Sequence, residues 1–161
     1  MRRAVADGRV WFGAGGEGDP RLKLYLTEAS RGITPPTLWS AEFAGTSGDA
    51  KREILKLFPD EPVFDTPKPE QLLSRVLAIA TDPGDLVLDS YLGSGTTAAV
   101  AHKMGRRWIG IENGDHAISH CATRLTKVVD GEQGGVSSQA GWTGGGGFRF
   151  EQLAETLARA A

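Results

Sequence analysis

The chain has 161 residues, of which 40% are hydrophobic and 24% charged, with a formal net charge of −2. That is the composition of an ordinary globular domain, and its charge offers no electrostatic case for nucleic acid. A single cysteine, Cys121, excludes an intramolecular disulfide and a cysteine-based zinc site, and with no apolar run of about 18 residues to span a membrane the natural compartment is a reducing cytoplasm.

In chain order, Val10 to Phe12 reads as a short strand, Gly13 to Pro20 as a loop and Leu22 to Leu26 as a second short element. Arg2, Arg3, Arg9, Arg21, Lys23 and Arg31 against Asp7, Glu17, Asp19 and Glu28 make this end slightly basic, either as a solvated surface or as a phosphate-contacting edge. Residues 33 to 48, with Pro35, Pro36, Gly45 and Gly48, are expected to be irregular, and Trp39 there is either a core anchor or a ligand contact. Asp49 to Phe58 predicts an amphipathic helix with Ile54, Leu57 and Phe58 on one face and Asp49 as its cap. After the connector Pro59 to Pro62, Thr66-Pro67-Lys68-Pro69 predicts a helix start, since both prolines are tolerated in a first turn whose amides lack partners. Leu72, Leu73, Val76, Leu77 and Ala80 then supply its buried face.

The most informative stretch runs from Asp85 to Glu112. Leu86 to Leu88 is an apolar run after the turn Asp82-Pro83-Gly84, as expected of a strand buried on both faces, and it ends in Asp89. Gly93, Gly95 and Ala98 follow in G-x-G-x-x-A spacing. Thr96 to Met104 predicts a helix of small residues closed by Gly105, and Trp108 to Ile111 a second strand ending in Glu112. Glycines let a backbone turn tightly and approach a ligand, and the helix behind them presents free amides. Glu112 lies 23 residues (112 − 89) beyond Asp89, where a carboxylate at a strand tip accepts hydrogen bonds from ribose hydroxyls. Charge decides between adenosine cofactors. A dinucleotide would lay its pyrophosphate beside the Asp89 anion, whereas S-adenosylmethionine has no phosphate and brings an ammonium. Methyl transfer therefore leads hydride transfer, and a nicotinamide oxidoreductase rests only on the glycine spacing and Glu112.

Beyond Glu112, Asn113-Gly114-Asp115 is a turn, and Ile118, Ala122, Leu125 and Val129 recur at helical spacing until Gly131. His116, His120 and Cys121 lie close together on that helix, but without a further cysteine or clustered acid they read as helix residues and not as metal ligands. Gly131 to Gly147 is expected to be loop for most of its length, its tetraglycine a hinge or tight strand entry; Phe148 and Phe150 alternate about Arg149, and Leu153 to Ala161 predicts a terminal helix.

Asp89-Ser90-Tyr91-Leu92-Gly93-Ser94-Gly95-Thr96-Thr97-Ala98 resembles the D-x-F-x-G-S-G-T-T-A signature of amino-group DNA methyltransferases, and Thr66 to Leu73 resembles the T-P-K-P helix start that precedes it. The wider context, from Gly8-Arg9-Val10-Trp11-Phe12-Gly13 through Gly144 to Phe150, is similar to the modification subunit of type III restriction-modification systems. The resemblance implies an α/β fold, a partial Rossmann-like S-adenosylmethionine-dependent methyltransferase with a partly parallel sheet. It divides the chain into 1–62, the end of a target-recognition region and a connector; 63–130, the cofactor-binding core; and 131–161, a glycine-rich loop, short strand and tail. The implied site is Thr66 and Lys68 at the methionine end, Asp89 on the ammonium, Tyr91 over the cofactor, Gly93, Ser94, Gly95 and Thr96 at the turn, and Glu112 on the ribose. The implied cofactor is S-adenosyl-L-methionine, and the substrate is double-stranded DNA with its target base flipped out, adenine N6 before cytosine N4.

The (D/N)-P-P-(Y/F/W) loop of such enzymes has no counterpart here: Pro35-Pro36 is flanked by Thr34 and Thr37. The resemblance therefore assigns no catalytic residue to this chain. It implies the C-terminal part of a longer enzyme, inactive alone, whose partners are an N-terminal complementary region, a second copy or a restriction subunit; a non-catalytic remnant is the alternative.

Overall fold

In a computed structural model of the chain, residues 2–28, 32, 34–60, 62 and 64–153 are described. They fall into two units, Met1–Pro36 and Thr37–Ala161. In the first, helix α1 (Arg2–Ala6) precedes an antiparallel ladder of β1 (Val10–Trp11) and β2 (Arg21–Leu22), with Val10 opposite Leu22 and Trp11 opposite Arg21. The second expected element thus shrinks to two residues, and Leu24 and Leu26 stand exposed. Two cations of the basic end are engaged within the unit: Arg9 pairs with Glu28, and Lys23 Nζ donates to Gly8 O at 2.9 Å.

The second unit opens with α2 (Ala41–Ala44), inside the stretch expected to be irregular; Ser40 caps it by accepting from Phe43 N. Helix α3 (Ser47–Leu57) begins before the expected Asp49. Its cap is Thr46, whose Oγ1 accepts from Asp49 N at 3.2 Å while Asp49 Oδ2 accepts from Thr46 N at 2.8 Å, a reciprocal capping box. Helix α4 (Glu70–Ala80) starts later than expected, with Pro69 extended at φ −69°, ψ 140°. The expectation that Pro67 and Pro69 lie in the first turn is corrected, because a residue before proline is driven from the helical region and Thr66 and Lys68 both precede one. Its buried face also differs. Glu70, Ser74 and Leu77 point inward, whereas Val76 and Ile79 are exposed.

Strand β3 (Leu86–Asp89), helix α5 (Thr96–Lys103) and strand β4 (Arg107–Gly110) form a parallel β-α-β unit, with Leu88 opposite Ile109 and Asp89 opposite Gly110. Ala98, Ala99, Val100 and Ala101 are fully buried, and their small size lets α5 lie close to the sheet. Leu77 of α4 with Val100 and Ala101 packs against Val87 and Trp108 on that face. Leu86, Leu88, Ile109 and Ile111 occupy the other, each about half exposed. The expectation of a strand buried on both faces therefore fails: among the described residues, helices cover one face only.

A π-helical turn (Ala117–Ala122) runs into α6 (Thr123–Val129). Its i→i+5 bonding shifts the inward face to His120, Cys121, Arg124, Leu125 and Val128, leaving Ile118 exposed where the periodicity had buried it. The glycine-rich segment holds a short helix, α7 (Ser137–Ala140), and is anchored by Trp142 Nε1 donating to Val128 O at 2.8 Å. The expected terminal helix falls, from residue 154 onward, outside the described residues. No helix among those described is long and apolar enough to cross a membrane.

Candidate cofactor site

The site is built where β3 and β4 end. Asp89 Oδ1 accepts from Tyr91 N at 3.0 Å, curling the chain off the sheet, and Leu92 N donates to Ile111 O at 3.0 Å, so the turn stays tied to the neighbouring strand. Gly95 caps α5 in the left-handed region at φ +83°. A side chain there would be strained, and its Cβ would stand 3.3 Å from Cys121 Cα. Both the conformation and the space demand glycine.

Glu112 closes the other side of the turn. Its Oε2 accepts from Gly93 N at 2.8 Å, and its Oε1 from Asn113 N at 2.9 Å and Gly114 N at 3.1 Å, with His116 Nε2 at 3.2 Å. Burial pushes this carboxyl up, but the three amide donations outweigh it and hold it below the ordinary range. The tip of the second strand is thus anionic and already fastened to the glycine turn.

The Thr66–Pro69 segment reaches the same place. Lys68 O accepts from Thr96 Oγ1 at 3.2 Å, Lys68 Nζ folds back onto Thr66 O at 3.1 Å, and the Phe64 ring lies 3.6 Å from where a Cβ on Gly93 would stand. Two motifs 28 residues apart therefore share one backbone contact. Tyr91 projects into solvent, 89% exposed. Beside Glu112, a cavity of about 600 Å3 has apolar walls that include Ile111, Ile118 and Phe148; of the expected site residues only Glu112 lines it. An apolar slot with the Glu112, Asp115 and Glu151 carboxylates at its margin suits a flat heterocycle joined to a hydroxylated sugar.

Several residues of this site have no sequence signature. Arg124, wholly buried on α6, donates through Nη1 to Thr96 Oγ1 at 2.9 Å and Ser94 O at 3.3 Å, and through Nη2 to Glu70 Oε1 at 2.8 Å. Glu70 also accepts from Lys103 Nζ at 2.8 Å and Val136 N at 3.0 Å, and Lys103 pairs in turn with Glu132. Burial raises the Glu70 carboxyl, but Arg124 and Lys103 bring it to a net position below the ordinary range. Cys121 Sγ donates to Gly93 O at 2.8 Å, and burial, aided by the Glu112 charge, pushes its thiol up to about 12. His120 contacts Pro62 O and Ser119 Oγ, and no group of three or more His, Cys, Asp or Glu among the described residues is placed to hold a metal.

Residues 7–123 match the family model of N6/N4 methyltransferases described as DNA methylase. The chain is similar to the probable type III restriction-modification enzyme HindVI Mod subunit of Haemophilus influenzae, 56% identical over 87 residues, which are 54% of this chain and 12% of that protein. It is also similar to the type III restriction-modification enzyme StyLTI Mod subunit of Salmonella typhimurium, 40% identical over 97 residues, 60% of this chain and 14% of that protein. The matched stretches are thus a small part of both relatives.

Proposed function

The chain belongs to the DNA methylase family whose model covers residues 7–123, and from that premise we propose that it is the S-adenosylmethionine-binding part of a site-specific DNA methyltransferase. The methyl acceptor is an exocyclic amine, adenine N6, on a base flipped out of duplex DNA. The observation that carries the reading is the turn itself: a glycine corner flanked by two strand-tip carboxylates, Asp89 and Glu112, with Glu112 held charged by amides. Such a corner repels a pyrophosphate and suits a ligand that brings an ammonium and a ribose diol.

In this reading Asp89 holds the methionine ammonium, Thr66 and Lys68 border that end, Tyr91 folds over the cofactor, and Gly93, Ser94, Gly95 and Thr96 admit its approach. A ribose hydroxyl takes the place of one donor now on Glu112. Residues 63–130 act as the cofactor-binding core. The chain supplies no base-handling loop, so a complementary segment, a second copy or a restriction subunit completes the enzyme, in the cytoplasm. The uncovered sheet face of Leu86, Leu88, Ile109 and Ile111 supports that need.

Calorimetric titration with S-adenosylmethionine and with NAD tests the cofactor. Only the first should bind, and Asp89→Ala and Glu112→Ala should each weaken it by about tenfold or more. Unchanged affinity in both variants overturns the assignment. Labelled cofactor incubated with mixed-sequence DNA and this chain alone should leave the DNA unlabelled; labelling abolished by Asp89→Ala would show that the chain suffices.

A further inference from the structure

We infer that Arg124 is a positioning residue for the cofactor turn, setting the Ser94–Thr96 backbone through a buried guanidinium clamped from behind by Glu70. The inference rests on the S-adenosylmethionine reading for what the turn holds, though not for how the turn is held.

Three observations carry it. First, the two ends of the fork do different work: Nη1 reaches Ser94 O and Thr96 Oγ1, while Nη2 engages Glu70 Oε1. Thr96 Oγ1 passes the contact on to Lys68 O at 3.2 Å, so one side chain aligns the glycine turn and the Thr66–Pro69 segment together. Second, Glu70 is itself immobile. Its oxygens take Lys103 and Val136 N as well as Arg124, and its own amide donates to Glu53 Oε2 at 3.0 Å. Arg124 therefore cannot swing without stripping partners from a carboxylate that is 1% exposed.

Third, the arrangement is a poor way to gain stability. Desolvating Arg124, Lys103 and Glu70 together costs much of what their attraction returns, and apolar residues of similar volume serve a core as well or better. What a rigid planar fork provides and an apolar side chain does not is direction at a fixed carbonyl and hydroxyl. Arg124 Nε has no partner among the described residues, as expected if the outer nitrogens dictate the pose.

The test uses Arg124→Lys, which keeps the charge beside Glu70 but cannot span both contacts, and Thr96→Val, which keeps volume and leaves the Glu70 pair intact. Amide exchange at Gly95, whose N–H donates to Leu92 O at 3.0 Å, reads the turn; exchange at Met104, whose N–H donates to Val100 O at 3.0 Å, reads the body of the unit. Both variants should speed Gly95 by about tenfold or more with Met104 unchanged, and weaken S-adenosylmethionine binding in step. Unchanged Gly95 exchange in both variants, or Gly95 and Met104 rising together, would overturn the inference and leave Arg124 as general support. If Arg124→Lys does not fold, Thr96→Val decides by the same two amides. Absence of binding by the unaltered chain would sink the cofactor reading, while the Gly95 exchange would still decide how the turn is held.

Discussion

Fastened by the amides of Gly93, Asn113 and Gly114, Glu112 gives the folded chain a carboxyl below the ordinary glutamate value of 4.5, and Glu70 gives it a second through Arg124 and Lys103. A depressed folded value means stabilisation that is complete above 4.5 and lost as pH falls through the depressed values. Glu53 acts in the opposite sense: burial raises it, so its contribution declines as pH climbs from 4.5 through the raised value. The thermal midpoint should therefore fall on acidification below 4.5, and less steeply in Glu112→Gln; superimposable acid limbs would contradict the amide cradle. Cys121 gives a second residue-scale test. With its thiol pushed up to about 12 and 3% of its surface exposed, it should resist iodoacetamide at pH 8 in the folded chain and react on denaturation. Rapid alkylation of the native chain would show that the Gly93 corner opens freely. Asp89, Gly93, Gly95 and Glu112 were legible in the sequence because their chemistry sits in one contiguous spacing. Arg124 and Glu70, paired across 54 residues, were not, since a charge at helical spacing reads as solvated surface until something brings its partner beside it.

Helices were legible where their 3.6-residue period is set locally, and less so where long-range contacts or covalent geometry intervene. Helix α3 was expected from its apolar face, but Thr46 and not Asp49 caps it, because a cap and the third helical residue of a capping box carry the same polar signal three positions apart. Thr46→Ala should cost about 1 kcal/mol in urea unfolding. A cost within error would return the cap to Asp49. Helix α4 shows the other case. Its apolar side is the expected buried side, yet Glu70 turns inward because Lys103, Arg124 and Val136 N supply partners that no local pattern announces, and Ser74 is buried beside it with its Oγ donating to Gln71 O at 2.8 Å. The π turn at Ala117–Ala122 is likewise silent in the sequence, and it turns His120 and Cys121 inward in place of Ile118, Cys121 under the glycine corner and His120 against Pro62 O and the Phe58 and Phe64 rings.

At the scale of the molecule, the two-stranded parallel sheet has one covered face, and among the described residues no further strand pairs with the outer edge of β3 or of β4. Arg107 N and Ile111 N donate to Asp85 O and Asp89 O, so β3 turns alternate residues toward β4, and the amides of Leu86 and Leu88 point the other way. Parallel strands rarely tolerate this, since their sheets are normally covered on both faces, and an unpaired edge beside apolar side chains recruits further strands. The half-exposed Leu86 and Leu88 sit on the strand that carries that edge, with Ile109 and Ile111 beside them on the same face, so covering the face and pairing the edge are parts of one event. Amide exchange on the isolated chain should therefore be fast at Leu86 and Leu88 and slow at Val87 and Asp89. Protection should spread to all four on adding a complementary α/β segment, or with rising concentration if a second copy takes the face. Leu88→Thr with Ile109→Thr should lower self-association and leave binding at the glycine turn intact, because these side chains point away from α5. A stable monomer with Leu86 and Leu88 protected at every concentration would mean that the chain covers its own sheet, and the reading of a part awaiting its complement would fall.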